Sequence, residues 1–439
     1  MCGVSRRIAV VGSGIAGLSA AWMLRGDGQV TLFEADSHFG GHAHTVDLTL
    51  DGVTHGVDTG FLVFNHRTYP GLTALFNDLG VVTAPSEMSF SVQVPASGLE
   101  WSGCGLNTVF AQRSNLLRPA FWGMLRDLLR FNRLATRIAE SDLPLAKQQP
   151  IAEFLQQHRL GAAFRDNYLL PMLGCIWSCP TDQMLQFPVS TLIRFCHNHG
   201  LLRITDRPQW MTVQSGSRSY VDRILAQLDD SRLNTPVRAV RRLPAESGAA
   251  GVWIDTPAGS ERFDDVVLAG HADQSLALLP DATARERELL GAIRFQTNRA
   301  VLHTDARMLP GRRRAWAAWN YERAAHQEQE QTAVCLHYLI NRLQPLPWTT
   351  PVLVSLNPVR EPAPDTIHGE FHYAHPVFDG AAVEAQDRLH EIQGQRHVWF
   401  AGAWTRNGFH EDGLSSARAV VDQMSARWHT ALVAQRSVA

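Results

Sequence analysis

Three glycines, Gly12, Gly14 and Gly17, stand directly after the β-branched run Ile8–Val11 and directly before Ala16–Leu24, a segment with small and apolar residues at helical spacing. Strand, tight turn and helix in that order make a phosphate cradle. The first glycine permits the turn, the second lets backbone approach a pyrophosphate, and the third lets helix pack closely on strand. Ile15 and Ala16 open the helix, so its free N–H groups and the positive end of its dipole meet the same anion. Glu34 lies 20 residues beyond Gly14, with Ala35 beside it, at the end of a second strand-like run, Val30–Phe33. A carboxylate there accepts hydrogen bonds from ribose hydroxyls and repels a 2′-phosphate, which disfavours an NADP-type adenosine. The competing reading is a glycine-rich turn with no ligand.

Gly40 and Gly41 add a second place where backbone can approach a cofactor, and the C-terminal stretch WFAGAWTRNGFHEDGLSSARAVV supplies a third. In that stretch a strand ending at Gly402 runs to a helix whose N-terminus, near Asp412 and Gly413, can point at the pyrimidine edge of a flavin and favour negative charge on the reduced ring. A nicotinamide dinucleotide needs no such far-end cradle, so the expected cofactor is FAD. No cysteine or histidine is placed for a covalent flavin link, and FAD is expected to bind non-covalently. His410, Asn407 and Trp404 fall in the loop beside the expected ring and are the candidates for positioning substrate or shuttling a proton. Their alternative role is to pack and cap this loop.

These residues need a βαβ unit with parallel strands to hold them, and Ile8–Val11, Ala16–Leu24 and Val30–Phe33 supply one. From about Pro85 to Arg207 the texture changes to helical patterns rich in Trp, Phe and Arg, read as a separate, mostly helical region. Val213–Leu228 then reads as a turn into an amphipathic helix. Strand-like runs follow at Val237–Val240, Gly251–Thr256 and Phe263–Ala269, and later at Ala333–Ile340, Val352–Leu356 and Val398–Gly402. A last helix covers Gly413–Met424. The expected fold is α/β: a discontinuous Rossmann-type FAD-binding domain over 1–85, 208–270 and 397–439, and a mixed α+β substrate domain over 86–207 and 271–396.

The chain has 439 residues, 45% hydrophobic and 19% charged, which fits a two-domain globular enzyme rather than a disordered or fibrous protein. A formal net charge of −2 attracts no nucleic acid. No run reaches the roughly 18–20 uninterrupted apolar residues of a spanning helix. Six scattered cysteines without a secretory leader point to free thiols and a cytoplasmic location. The start also carries twin arginines before an apolar run, but the glycine spacing within that run argues against an export signal. Lys147 is the one lysine among 40 Lys and Arg residues.

The motifs IAVVGSGIAGLSAAWML, FEADSHFGG, VDTGF at Val57–Phe61, SGSRSYVDRI, VVLAG and FAGAW…GFHEDGL resemble those of the flavin-containing amine oxidase and phytoene desaturase superfamily. Within it the chain is similar to a bacterial branch of NAD/FAD-binding proteins. The resemblance implies a two-domain fold like that of p-hydroxybenzoate hydroxylase. It assigns Gly12, Gly14 and Gly17 to the pyrophosphate, Glu34 to the ribose, and Gly40 and Gly41 to the pyrophosphate region. It also brings Gly60 and Phe61 of VDTGF to the cofactor, Val237 or its neighbour to the adenine through backbone atoms, and Gly402, Glu411, Asp412, Gly413 and Leu414 to the ribityl chain and ring. Relatives carry an arginine after the paired glycines, where this chain has His42. Members resembling monoamine oxidase use a lysine near the flavin and a tyrosine where this chain has Phe409; Lys147, in LPLAKQQP, is poorly placed for that task.

Those departures shift the expected chemistry toward removal of hydride from carbon of an apolar or lipid-like small molecule, as in desaturases. The alternatives are an amine oxidase forming an imine and hydrogen peroxide, a non-redox flavoprotein isomerase, and a nucleotide-binding protein without catalysis. No metal is expected. His38, His42 and His44 lack a cysteine or acid at ligand spacing, and Cys175, Cys179, Cys196, His197 and His199 match no common zinc pattern and read as buried thiols and packing residues. Residues 115–139 alternate Leu, Phe and Met with arginines, so peripheral contact with an anionic membrane stands beside the ordinary reading of a core helix with a solvated arginine face.

Overall fold

The structure, a computed structural model, describes residues 6–141, 149–177, 181–203, 207–243, 250–324 and 334–438. Five strands form a wholly parallel sheet in the order Val398–Phe400, Asp265–Leu268, Arg7–Val11, Gln29–Phe33, Asp230–Arg232. Val10 stands between Leu32 and Val267. Asp265–Leu268 and Val398–Phe400 are buried along their whole lengths, as expected when helices or loops cover both faces of a parallel sheet. The helix Ile15–Leu24 carries the chain from the first strand to the second and buries nearly every side chain. Its small residues let the long C-terminal helix His410–Val438 approach so closely that a Cβ on Gly413 would lie 2.7 Å from Ile15 Cγ2.

The opposite face of the sheet, with Ala9, Phe33, Val266 and Leu268, packs on an antiparallel three-stranded layer, Ala239–Arg242, Val252–Thr256 and Gly259–Phe263. Phe33 meets Phe263 edge to face at 5.9 Å. The helices Ala272–Ala277, Ala284–Gly291 and Gly380–Arg388 join this same apolar cluster through Ala272, Leu289, Leu290, Ala382 and Ala385. These helices, which follow residue 271, thus pack with the layer beneath the parallel sheet.

A second sheet of seven strands runs in the order Ile367–Pro376, Phe295–His303, Leu353–Leu356, Cys335–Leu339, Trp319–Glu322, Phe90–Val94, Leu99–Ser102. Its last two strands are an exception within residues 85–207, which are otherwise mostly helical among the described residues. Phe90–Val94 alternates at period two and turns through Pro95–Ser97 into Leu99–Ser102, an antiparallel hairpin. Thr83–Ser86 likewise pairs with Trp210–Val213. Helices fill much of the remainder, including the 22-residue Pro119–Glu140, preceded by a 3-10 turn at Arg113–Leu117. The buried carboxylate of Asp58 ties the two halves together, accepting from Ser217 N at 2.9 Å, Thr45 Oγ1 at 2.5 Å and Gln344 Nε2 at 3.0 Å.

Candidate active site

Four parallel strands end at Val11, Phe33, Leu268 and Phe400, and just beyond them Gly12, Glu34, Ala269, Gly270 and Gly402 line a single cavity of about 1440 Å³. Open parallel sheets bind ligands at this carboxyl edge. The volume exceeds the roughly 300–1,000 Å³ of an ordinary small-molecule pocket, which leaves room for a dinucleotide and a second molecule. The seven-stranded sheet supplies the facing wall, with Trp319, Tyr338, Leu356, Phe371, Tyr373 and His375.

The end at the glycine turn fits a dinucleotide. The helix Ile15–Leu24 starts at Gly14 without a side-chain cap, so its first N–H groups remain for an anion. A Cβ at Gly14 would meet no protein atom within 4 Å, whereas one at Gly17 would lie 1.8 Å from the Gly12 carbonyl oxygen. Gly14 thus borders open space and Gly17 serves the contact of helix with strand. Glu34 accepts from Ser13 N at 2.8 Å, Ser13 Oγ at 2.5 Å and Asp36 N at 3.0 Å, and Ser13 Oγ in turn accepts from Gly40 N at 3.0 Å. Ser13, which the sequence did not single out, thereby locks the turn, Glu34 and the paired glycines into one unit. His42 Nε2 is buried without a hydrogen-bond partner among the described residues, a further polar group left for a bound molecule.

The rest of the lining is aromatic and histidine-rich. Eight of the lining residues are histidines. Burial holds His410 at about 3 and His375, His199 and His44 at about 4, and pushes His42 and His271 down as well; near neutral pH all six rings are uncharged. His410 stacks on Phe61 at 3.7 Å and its Nε2 lies 3.2 Å from the Tyr220 hydroxyl. His44 Nδ1 lies 2.9 Å from the Tyr373 hydroxyl, which is 2.6 Å from Thr59 Oγ1. His42 packs against Tyr373 at 5.0 Å and His375 at 5.3 Å. Tyr373 and His375 were absent from the sequence reading, although Phe371, Tyr373 and His375 alternate along one strand face, which is a legible signal.

Of the residues named from sequence, Gly12, Gly14, Ile15, Ala16, Glu34, Gly41, His42, Gly60, Phe61, Gly402, Trp404, Asn407 and His410 line the cavity. Trp404 Nε1 donates to the Gly270 carbonyl at 3.0 Å, and Asn407 is exposed at the rim. Gly17, Ala35, Gly40, Val237, Glu411, Asp412, Gly413 and Leu414 lie outside the lining. Val237 packs at the edge of the cluster beneath the parallel sheet. Asp412 accepts from Phe409 N at 3.0 Å, capping its own helix, and burial raises it to about 6. Leu414 is buried in the main core. Lys147 and Cys179 lie outside the described residues, while Cys175 and Cys196 are buried free thiols.

Glu411 has a different task. Its oxygens accept from Gly71 N at 2.8 Å and Leu72 N at 2.9 Å, in the first turn of the helix Pro70–Leu79, which has no side-chain cap of its own. Glu411→Ala is therefore expected to cost about 1–2 kcal/mol in denaturant unfolding while leaving flavin content intact. Loss of flavin without loss of stability would return Glu411 to the cofactor site.

Residues 15–303, more than half of the chain, match the family described as flavin containing amine oxidoreductase. A carotenoid phi-ring synthase from Streptomyces griseus is 34% identical over 287 residues, 60% of this chain and 52% of that protein, so the chain spans about half the length of the curated relative it matches. The solved structure of a CLA-producing fatty acid isomerase from P. acnes superposes with a TM-score of 0.67 at 14% identity, covering 96% of this chain and 99% of that one. Cyclohexylamine oxidase from Brevibacterium oxydans gives a TM-score of 0.67 at 15% identity, covering 96% and 100%. At such identities the two structures establish a shared fold.

Proposed function

The chain belongs to the flavin-containing amine oxidoreductase family, and from that premise we propose that it is an FAD-dependent oxidoreductase that removes hydride from carbon of an apolar, lipid-like small molecule. The carrying observation is a single cavity that fits a dinucleotide at its glycine-turn end and is walled elsewhere by aromatic rings and uncharged histidines. Non-covalently bound FAD supplies the hydride acceptor. Gly12, Gly14 and the N–H groups at the start of Ile15–Leu24 would hold its pyrophosphate, and Glu34 its ribose. Phe61, Phe409 and the strand residues Phe371 and Tyr373 orient an apolar substrate and keep water away. His410, held neutral and engaged with Tyr220 through Nε2, offers its other ring nitrogen for one hydrogen bond to substrate.

An amine substrate is less well served. An ammonium group calls for an unpaired carboxylate or an open aromatic face. Glu87 is taken by Arg342 at 2.7 Å and Glu34 and Asp36 belong to the glycine-turn end, so beyond that end an ammonium would have ring faces and no free carboxylate among the described lining residues. The relative named for a carotenoid supports the apolar reading by its name. Among the described residues no helix is long and apolar enough to cross a membrane. Contact with a membrane surface is supported instead by exposed Leu116, Leu117, Trp122 and Leu129 beside the arginines of Pro119–Glu140, next to Val109 and Leu128 of the cavity wall.

Purified protein is expected to absorb near about 450 nm. Under anaerobic conditions it should bleach with apolar chains or isoprenoids and not with primary or secondary amines. Bleaching by amines alone, with hydrogen peroxide released in air, reverses the assignment.

A further inference from the structure

Among the described residues four Asp, Glu or Arg side chains line the cavity, and three are already answered. Glu34 holds Ser13, Asp36 accepts from Ser37 N at 2.7 Å, and Glu87 pairs with Arg342. Arg207 differs. Its Nε donates to the Arg203 carbonyl at 2.8 Å, and both terminal nitrogens of the guanidinium remain free of protein partners among the described residues. Its side chain is exposed where the wall opens. The next residues place it: Gln209 Nε2 donates to the Ser86 carbonyl at 3.1 Å and Trp210 pairs with Ser86, so Arg207 stands at the mouth shared with Glu87 and Met88.

From that mouth a row of rings leads inward. Trp210 lies parallel to His199 at 6.3 Å, His199 stacks on Phe195 at 3.9 Å, and Phe195 stacks on Phe409, the neighbour of His410. The arrangement is a positive charge at the surface, then an apolar track, then the end where the ring of FAD is expected.

Resting on the oxidoreductase reading above, we propose that the substrate is an amphipathic carboxylic acid, with its carboxylate gripped by Arg207 at the mouth and its apolar chain laid along Trp210, His199, Phe195 and Phe409. The planar guanidinium fork matches a carboxylate bidentately. Glu87 and Arg342 neutralise each other, so among the described lining residues Arg207 is the charge left without a counter-ion. The interior offers no rival: a carboxylate carried inward would lose its water without meeting a charged partner, since the buried histidines are neutral, and that desolvation is costly. The chain therefore enters apolar end first.

The test uses holoenzyme and a long-chain fatty acid, its methyl ester and the matching alcohol. Binding is read from perturbation of the visible flavin spectrum without turnover. Wild type is expected to bind the acid about 3- to 10-fold more tightly than the ester, with the ratio shrinking as salt is raised. In Arg207→Gln the ratio should collapse to about one, and Arg207→Lys should restore part of it. Equal binding of acid and ester by wild type, or an acid preference that survives Arg207→Gln, overturns the assignment while the apolar reading stands. No spectral response to any of the three overturns both.

Discussion

Gly14→Val is expected to give a folded protein stripped of flavin, retaining less than about a tenth of the wild-type content. A Cβ at this position meets no protein atom within 4 Å, and the backbone there has φ −61°, which any residue adopts. The Cβ itself meets no protein atom, so the added bulk is aimed at a molecule drawn against the turn. Gly17→Ala is the contrasting change: its Cβ would stand 1.8 Å from the Gly12 carbonyl oxygen and 3.2 Å from Ala269 Cβ. Helix and strand would have to separate, at a cost of about 3 kcal/mol or more, so this variant should lose stability and flavin together. Comparing 450 nm absorbance (approximately the flavin maximum) with the denaturant midpoint separates the two effects. If Gly14→Val keeps its flavin, the pyrophosphate lies elsewhere; if it unfolds, the open space beside Gly14 has been misread.

The contrast between those glycines shows what a sequence conveys about such a site. Spacing alone placed the turn, because a strand, three glycines and a helix are local chemistry. It assigned the individual glycine roles only through general rules; the open space at Gly14 and the close approach of Gly17 to Gly12 are in keeping with them. The far end was less legible. GFHEDGL reads as a flavin-facing helix start, yet Glu411 turns away to cap Pro70–Leu79 and Gly413 serves the close approach of Ile15. Both depend on contacts with residues some 340 and 400 positions away, which no local pattern encodes. The parallel strands were visible as short β-branched runs. Phe90–Val94 and Leu99–Ser102 are short strands amid helical texture; they form a local hairpin, and its place in the sheet comes from Trp319–Glu322, some 230 residues further along the chain. The histidine wall was hidden for the same reason. His42 and His44 come from one segment, His199, His271 and His375 from three others, and only folding assembles them.

That assembly carries the largest dependence on conditions. Six cavity histidines, His42, His44, His199, His271, His375 and His410, have folded-state values depressed by burial, four of them to about 3 or 4, against an ordinary 6.5. For a depressed histidine the unfolded chain takes up the proton first. Stability is therefore complete above about pH 6.5 and is lost as pH falls toward the folded values. Each such group contributes up to about 1.4 kcal/mol per pH unit across that window. Asp58 and Asp412 act in the opposite sense: burial raises both to about 6, so the folded state binds their protons first and gains stability as pH falls. Two groups against six do not reverse the sign. His337, raised to about 9, opposes the fall only near pH 6.5 and above, until the unfolded imidazole is protonated as well, and adds nothing further toward pH 5. The expected result is a steep fall in thermal midpoint between about pH 6.5 and 5, a range in which ordinary carboxylates have scarcely begun to protonate. Flavin should leave over the same interval only as the protein unfolds, because in the folded state the cavity histidines stay uncharged down to about pH 4. His375→Asn, which removes one of the titrating rings, should flatten the slope. A midpoint that stays level from pH 7 to 5 would show that these rings are solvated in the folded protein, and with it the uncharged interior on which the apolar substrate rests would fail.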